Sequence, residues 1–270
     1  MRWRTALILL PLIAAASCTA PSVPAPWESV ENPASEPKTS LATLPAEPLW
    51  QRLGSSIRGK PIQAATFGTG PSRLYIIGGI HGDQPEGPAA IQLLAESLAS
   101  APIEAATVRI IRHMNPDAEA TGTRVKTRGI DLNRNWPTPD FASGPTHGPR
   151  AASELETSTI HADLVAFKPD LVIILGTSAR GPAIAFEGAG HLPHIRAYEF
   201  AAAARREDPR WRLVTEPWTS STGSIESFTR DVLKRAVLNA ELPRAADRQQ
   251  QARAIQAGLA AFAANAPAAK

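Results

Sequence analysis

The chain has 270 residues, a length that allows one large α/β domain or two small domains. Hydrophobic residues make up 43% of it and charged residues 20%, so the composition supports a packed core and excludes a wholly disordered chain. The net charge is +3, and no basic block or aromatic-interleaved basic strip indicates binding to nucleic acid.

The first 18 residues have the pattern of an export signal. Two arginines are followed by an apolar run and then by small residues that lead to Cys18, the only cysteine in the sequence. The apolar run is too short to span a bilayer as a stable helix. Because residues 15–18, Ala-Ala-Ser-Cys, are similar to a bacterial lipobox, we predict lipidation of Cys18. The protein would then be an exported, membrane-anchored bacterial lipoprotein on the periplasmic side, with simple secretion as the alternative.

Residues 19–46 are rich in Pro, Ser and Ala and lack a hydrophobic period, which predicts an extended, solvated tether. Residues 47–270 show no internal repeat and no second boundary, so we predict a single domain there. Its strands are predicted at residues 62–66, 74–77, 108–111, 171–175, 183–186, 213–215 and 236–239. Its helices are predicted at residues 88–99, 151–167, 194–206, 225–234 and 246–263. This alternation predicts an α/β sheet that is covered by helices on both faces.

Ligands bind such sheets in the loops at the carboxyl ends of the strands. Four polar segments fall there: GGIHGDQPEG at 78–87, TGTRVKTRGIDLNRNWP at 121–137, GTSARG at 176–181 and AELPR at 240–244. The second segment contains Arg124, Arg128 and Arg134, whose forked N–H donors could grip a carboxylate. The alternative is a solvated loop with internal Asp–Arg pairs.

Together, these segments resemble the zinc carboxypeptidase family, and within it the bacterial murein-peptide amidases, over about residues 60–245. The matching motifs are NPD at 115–117, TR at 123–124, GIDLNRNWP at 129–137 and AVLNAELP at 236–243. The resemblance implies a single-domain α/β fold with a mixed sheet of about seven or eight strands and helices on both faces. It also implies that Arg124 polarises the scissile carbonyl, that Asn133 and Arg134 clamp the substrate's free carboxylate, and that Glu241 is the general base.

The metal ligands that the resemblance implies are incomplete. His81 stands at the position of the first ligand, but Gln84 replaces the Glu of the His-x-x-Glu motif, and Gly176 follows the strand after which the second His is expected. Catalytic zinc generally needs three protein ligands and an open position for water. One imidazole holds zinc too weakly, so we predict no metal in the standard site.

We therefore predict a metal-depleted carboxypeptidase-fold lipoprotein that binds the C-terminal carboxylate of a peptide, such as a murein stem peptide, without cleaving it. The alternative is an active zinc metallocarboxypeptidase or amidase with ligands from unusual positions. The candidates for such ligands are Asp83, Glu86, His113, His147, His161, His191 and His194. A serine hydrolase built on Ser178 is disfavoured, because Arg180 occupies a position where the nucleophile turn needs a small residue.

Overall fold

A mixed sheet of eight strands carries the four polar segments. The computed structural model describes residues 47–125, 128–187, 191–214, 221–244 and 246–265, with the side chains of 187 and 191–194 excepted. The predicted signal segment, the tether and Cys18 lie outside the described residues. The strands are β1 (Gln51–Ser55), β2 (Pro61–Phe67), β3 (Ser72–Gly78), β4 (Ala106–Ile111), β5 (Leu171–Ser178), β6 (Ala183–Glu187), β7 (Arg212–Val214) and β8 (Ala236–Pro243). Their order in the sheet is β1-β2-β4-β3-β5-β8-β6-β7.

The four central strands, β4, β3, β5 and β8, run parallel to one another. Strand β2 is antiparallel to β4, and β6 is antiparallel to β8, so the sheet is mixed as predicted. The middle of β3 and the start of β5 are buried on both faces. Their continuous apolar runs are typical of strands with helices on each side, and this is why the sequence located them correctly.

Helices cover both faces of the sheet, which confirms the predicted fold class. They are α1 (Glu86–Ser100), α2 (Pro116–Glu119), α3 (Leu155–Phe167), α4 (His191–Glu207), α5 (Ile225–Ser227) and α6 (Arg248–Ala264). One core cluster joins the sheet to α1, α4 and α6, and a second joins the opposite face to α3 and α5. Among the described residues, no helix combines the length and apolar character needed to cross a bilayer.

Two predicted helices differ from the structure. The helix predicted at 151–167 begins only at Leu155, because Ala152 has a φ of 50° and donates its N–H to the carbonyl of Asn135. The helix predicted at 225–234 is instead the short α5 followed by one π-helical turn, Phe228–Val232. The sequence also missed the edge strand β1, the short helix α2 and a 3-10 turn at Leu132–Arg134. These elements are too short or too exposed to produce a hydrophobic period.

Gly82 allows the loop after β3 to lie directly against α2, since a Cβ atom there would come 2.1 Å from the backbone of Ala118. We expect Gly82→Ala to lower the free energy of unfolding by about 1–3 kcal/mol, because the backbone contact must open. Urea denaturation measures this change. Gly144→Ala is the matched control, because the nearest atom to its added Cβ would be 3.8 Å away. Equal stability of the two variants would contradict this reading of the loop.

Candidate functional site

The loop after β3 is fixed to the loop after β4 by backbone hydrogen bonds. The N–H of Met114 donates to the carbonyl of Gly78 at 3.0 Å, and the N–H of Asn115 donates to that of Gly79 at 2.8 Å. The Asn115 side chain adds a bond to the carbonyl of Ile80. Gly79 has a φ of 67°, a conformation that glycine adopts without strain. These bonds hold the position of His81 at the carboxyl end of β3.

His81 pairs with Asp131 from the arginine-rich segment. Asp131 Oδ1 lies 2.9 Å from His81 Nε2, and both side chains are about one-tenth exposed. The same oxygen accepts the backbone N–H of Asn133 at 2.9 Å. Burial alone would raise the pKa of Asp131, but the hydrogen bond and charge of His81, the Asn133 N–H and Arg124 outweigh it, so the pKa is lowered. Asp131 is therefore held as an anion that orients the imidazole.

Asn133 is joined to the segment that begins α5. Its Nδ2 donates to Glu226, at 3.0 Å from Oε2 and 3.3 Å from Oε1, and its Oδ1 accepts the N–H of Ile225 at 2.9 Å. Arg134 donates from Nη1 to the carbonyl of Asn133 at 2.9 Å. The close approach of this segment needs Gly223, where a Cβ would lie 2.3 Å from the carbonyl oxygen of Arg134. The structure thus brings Asn133 and Glu226 together across 93 positions of sequence.

Glu241 lies against Gly176 on the neighbouring strand. The two residues are register partners in the β5–β8 pair, and an added Cβ on Gly176 would come 2.5 Å from Glu241 Oε1. Burial raises the pKa of Glu241, the negative charge of Glu226 raises it further, and it reaches about 7. The Glu241 carboxylate is therefore poised to titrate near neutral pH, at the position where a side chain of residue 176 would begin.

The three predicted metal-ligand positions do not supply a full set of donors. His81 supplies an imidazole, Gln84 has only a neutral amide, and Gly176 has no side chain. Within the part of the chain that the structure describes, no group of three His, Cys, Asp or Glu side chains is arranged to hold a metal ion. Glu86, the first residue of α1, accepts a hydrogen bond from the Thr177 hydroxyl at 2.7 Å.

The other candidate residues have separate contacts. Three of the histidines contact other residues. His113 pairs with Glu119, His147 is hydrogen-bonded to Thr222, and the His161 ring packs against Trp136 and Phe228. The side chains of His191 and His194 lie outside the part of the chain that the structure describes. The Ser178 hydroxyl accepts the backbone N–H of Arg180, a local turn contact. Arg124 is half exposed, and its Nη2 lies 3.7 Å from Asp131 Oδ2.

Sequence reasoning missed the roles of two acids. Asp131 lies two positions before Asn133 inside the quoted motif, so its nearness to the site was available from the sequence, although its pairing with His81 was not. Glu226 gave no signal, because its contact with Asn133 depends on how the loop before α5 folds back onto the 3-10 turn.

Comparison with known proteins finds a family that matches part of the chain. The zinc carboxypeptidase family model matches residues 49–177. The chain is a homologue of the zinc carboxypeptidases. This confirms the resemblance in the sequence, and the matched span includes His81, Gln84, Asn133, Arg134 and Gly176.

Three known proteins are similar to this chain over larger or smaller parts of its length. Murein peptide amidase A of Vibrio campbellii is 35% identical over 106 residues, which are 39% of this chain and 41% of that protein. Among solved structures, the murein-tripeptide amidase of Escherichia coli O157 has a TM-score of 0.63 at 20% identity, covering 83% of this chain and 94% of that one. The Helicoverpa armigera carboxypeptidase A has a TM-score of 0.68 at 17% identity, covering 82% and 70%. These solved structures share the fold of this zinc carboxypeptidase homologue.

The raised pKa of Glu241 predicts a pH-dependent stability. Its folded pKa is about 7 and its ordinary value 4.5, so ionisation costs folding free energy as pH rises between these values. We expect Glu241→Gln to raise the free energy of unfolding by about 2–3 kcal/mol at pH 8 and to have little effect below pH 4.5. Chemical denaturation across this range measures it. Glu104→Gln, an exposed control, should leave the profile unchanged, and a Glu241→Gln profile parallel to wild type would contradict the assignment.

Proposed function

We propose that this zinc carboxypeptidase homologue recognises the C-terminal carboxylate of a peptide and does not hydrolyse it. The observation that carries the proposal is the contact between Glu241 and Gly176. A side chain at position 176 would start 2.5 Å from Glu241 Oε1, so the carboxylate of the implied general base lies in the space of the implied metal ligand.

The residues present do not fit a catalytic zinc. A metal lowers the pKa of its bound water to about 7, but it needs about three protein ligands to stay in place. Here the ligand positions hold one imidazole, one amide and one glycine. The amide carries no negative charge to balance the cation, and the glycine contributes no donor. Glu241 then has no activated water to deprotonate, and hydrolysis is not supported.

Recognition of a carboxylate needs no metal. Arg134 uses one guanidinium nitrogen on the Asn133 carbonyl, and its other N–H groups have no partner among the described residues. Arg124 is half exposed beside Asp131. Two guanidinium groups on one segment offer charge-assisted, bidentate hydrogen bonds to an incoming carboxylate, and such bonds are about twice as strong as neutral ones.

The relatives suggest the type of peptide. The related proteins from Vibrio campbellii and Escherichia coli are named murein peptide and murein-tripeptide amidases, so a murein stem peptide is the proposed ligand. The proposal includes export and a lipid anchor on Cys18, supported by the sequence pattern at residues 15–18. An anchored binding protein of this kind would work on the periplasmic side of a membrane.

A second candidate function is an active metallocarboxypeptidase with a non-standard zinc site. One observation favours it, namely the pairing of His81 Nε2 with Asp131, because metal-ligating histidines commonly donate their other ring N–H to a carboxylate. Zinc would have to be held by His81 together with residues from other positions. Elemental analysis of the purified chain after equilibration with zinc separates the two candidates. A content near one zinc per chain would support the enzyme, and a content well below that would support the binding protein.

The binding proposal predicts a strong preference for a free carboxylate. A murein-type tripeptide should bind about tenfold or more tightly than the same peptide with an amidated C-terminus. Arg134→Ala should remove most of this preference, because the charge-assisted bonds are lost. Calorimetry gives both dissociation constants. Arg253→Ala, which changes an exposed arginine on α6 paired with Glu207, is the matched control. Equal affinity of the wild type for both peptides would eliminate the proposal.

A further inference from the structure

The amide of Asn133 already holds a carboxylate of its own chain. Its Nδ2 lies 3.0 and 3.3 Å from the two oxygens of Glu226, a contact of the kind that a bound ligand's carboxylate would make. The Asn133 Oδ1 is fixed by the N–H of Ile225 at 2.9 Å, which sets the direction of the amide. Glu226 therefore already occupies the Asn133 amide, which the proposed function assigns to binding the ligand's carboxylate.

We propose that Glu226 is an internal competitor for the ligand-binding site. In the free protein its carboxylate occupies the Asn133 amide, and the C-terminal carboxylate of the peptide displaces it on binding. This inference rests on the proposed function and adds to it the residue that sets the affinity. No covalent step is involved.

The charges around Glu226 make it easy to displace. Within the described residues its hydrogen-bond partner is the neutral Asn133 amide, and no Lys, Arg or His nitrogen forms an ion pair with it. The charged group whose field it shares is Glu241, another acid. The Glu226 carboxylate is held weakly, because its hydrogen-bond partner is neutral and its charged neighbour is another acid. The side chain is also only partly buried, so it can move towards solvent.

The other role of an acid at this place would be to pair with an ammonium group of the ligand. The two roles give opposite results when the charge is removed. If Glu226 competes, removing its charge strengthens binding, because the ligand's carboxylate no longer meets a like charge. If it pairs with an ammonium group, removing its charge weakens binding of a cationic ligand.

The test compares wild type with Glu226→Gln and Glu226→Ala in calorimetric titrations. The probe is one tripeptide ending in Lys, used with free and with amidated C-termini. We expect both variants to bind the free-carboxylate peptide about tenfold more tightly at low salt, and the gain to shrink at about 1 M salt. Glu104→Gln makes the same charge change at an exposed position before β4 and should have no effect. Thermal melts establish that each variant is folded.

A second measurement follows the contact directly. In ¹⁵N-labelled protein, the Asn133 side-chain NH₂ signal is assigned by its loss in Asn133→Ser. It should move upfield in Glu226→Ala, where the carboxylate acceptor is lost, and should return towards its wild-type position when the peptide binds to that variant. A tighter variant that shows this return supports the competitor. Unchanged or weaker binding by the variants, with the free-carboxylate preference retained, overturns this inference and leaves the proposed function intact. Loss of that preference in wild type and variants alike overturns both.

Discussion

The register of β5 against β8 is the constraint on which the candidate site depends. It places Gly176 beside Glu241, and the missing side chain leaves room for the glutamate's carboxylate to lie over the neighbouring strand. Burial in that position raises the pKa of Glu241 to about 7, with a further contribution from Glu226. Gly176 thus leaves the space that the Glu241 carboxylate occupies, and the burial of that carboxylate raises its pKa. The energetic cost of burying Glu241 is reduced because the carboxyl can take up a proton near neutral pH.

Asp131 connects this edge to the arginine-rich segment. Its carboxylate contacts His81 from the loop after β3, the backbone N–H of Asn133 and the guanidinium of Arg124. A buried anion with several donors is stable, whereas the same anion with one donor removed would be costly. The pairing therefore gives His81 a structural task that is independent of any metal. This gives a reason for a histidine at position 81 that does not depend on the implied metal site, whose other two positions hold Gln84 and Gly176.

Most of the fold could be predicted because the buried strands leave continuous apolar runs and the long helices leave a period. The arginine-rich segment could be found because its residues are adjacent in sequence. The contact of Glu226 with Asn133 could not, since it joins residues that are 93 positions apart and that lie in two very short helical turns, Leu132–Arg134 and Ile225–Ser227. The position of Glu241 over Gly176 could not be predicted from the sequence either, because strand register is set by the whole sheet. The roles of Arg124, Asn133, Arg134 and Glu241 remain predictions.

The balance of charge bears on how the proposed binding site could work without a metal ion. In a zinc enzyme the cation offsets nearby carboxylates, and its loss leaves them to repel one another and any anionic ligand. In this chain, Glu241 can be protonated near neutral pH, Glu226 is held by a neutral amide, and Asp131 is offset by His81 and Arg124. The guanidinium of Arg134 donates to the carbonyl of Asn133, the residue whose amide holds Glu226. Under the proposed function, such an arrangement would favour a bound carboxylate without any metal ion.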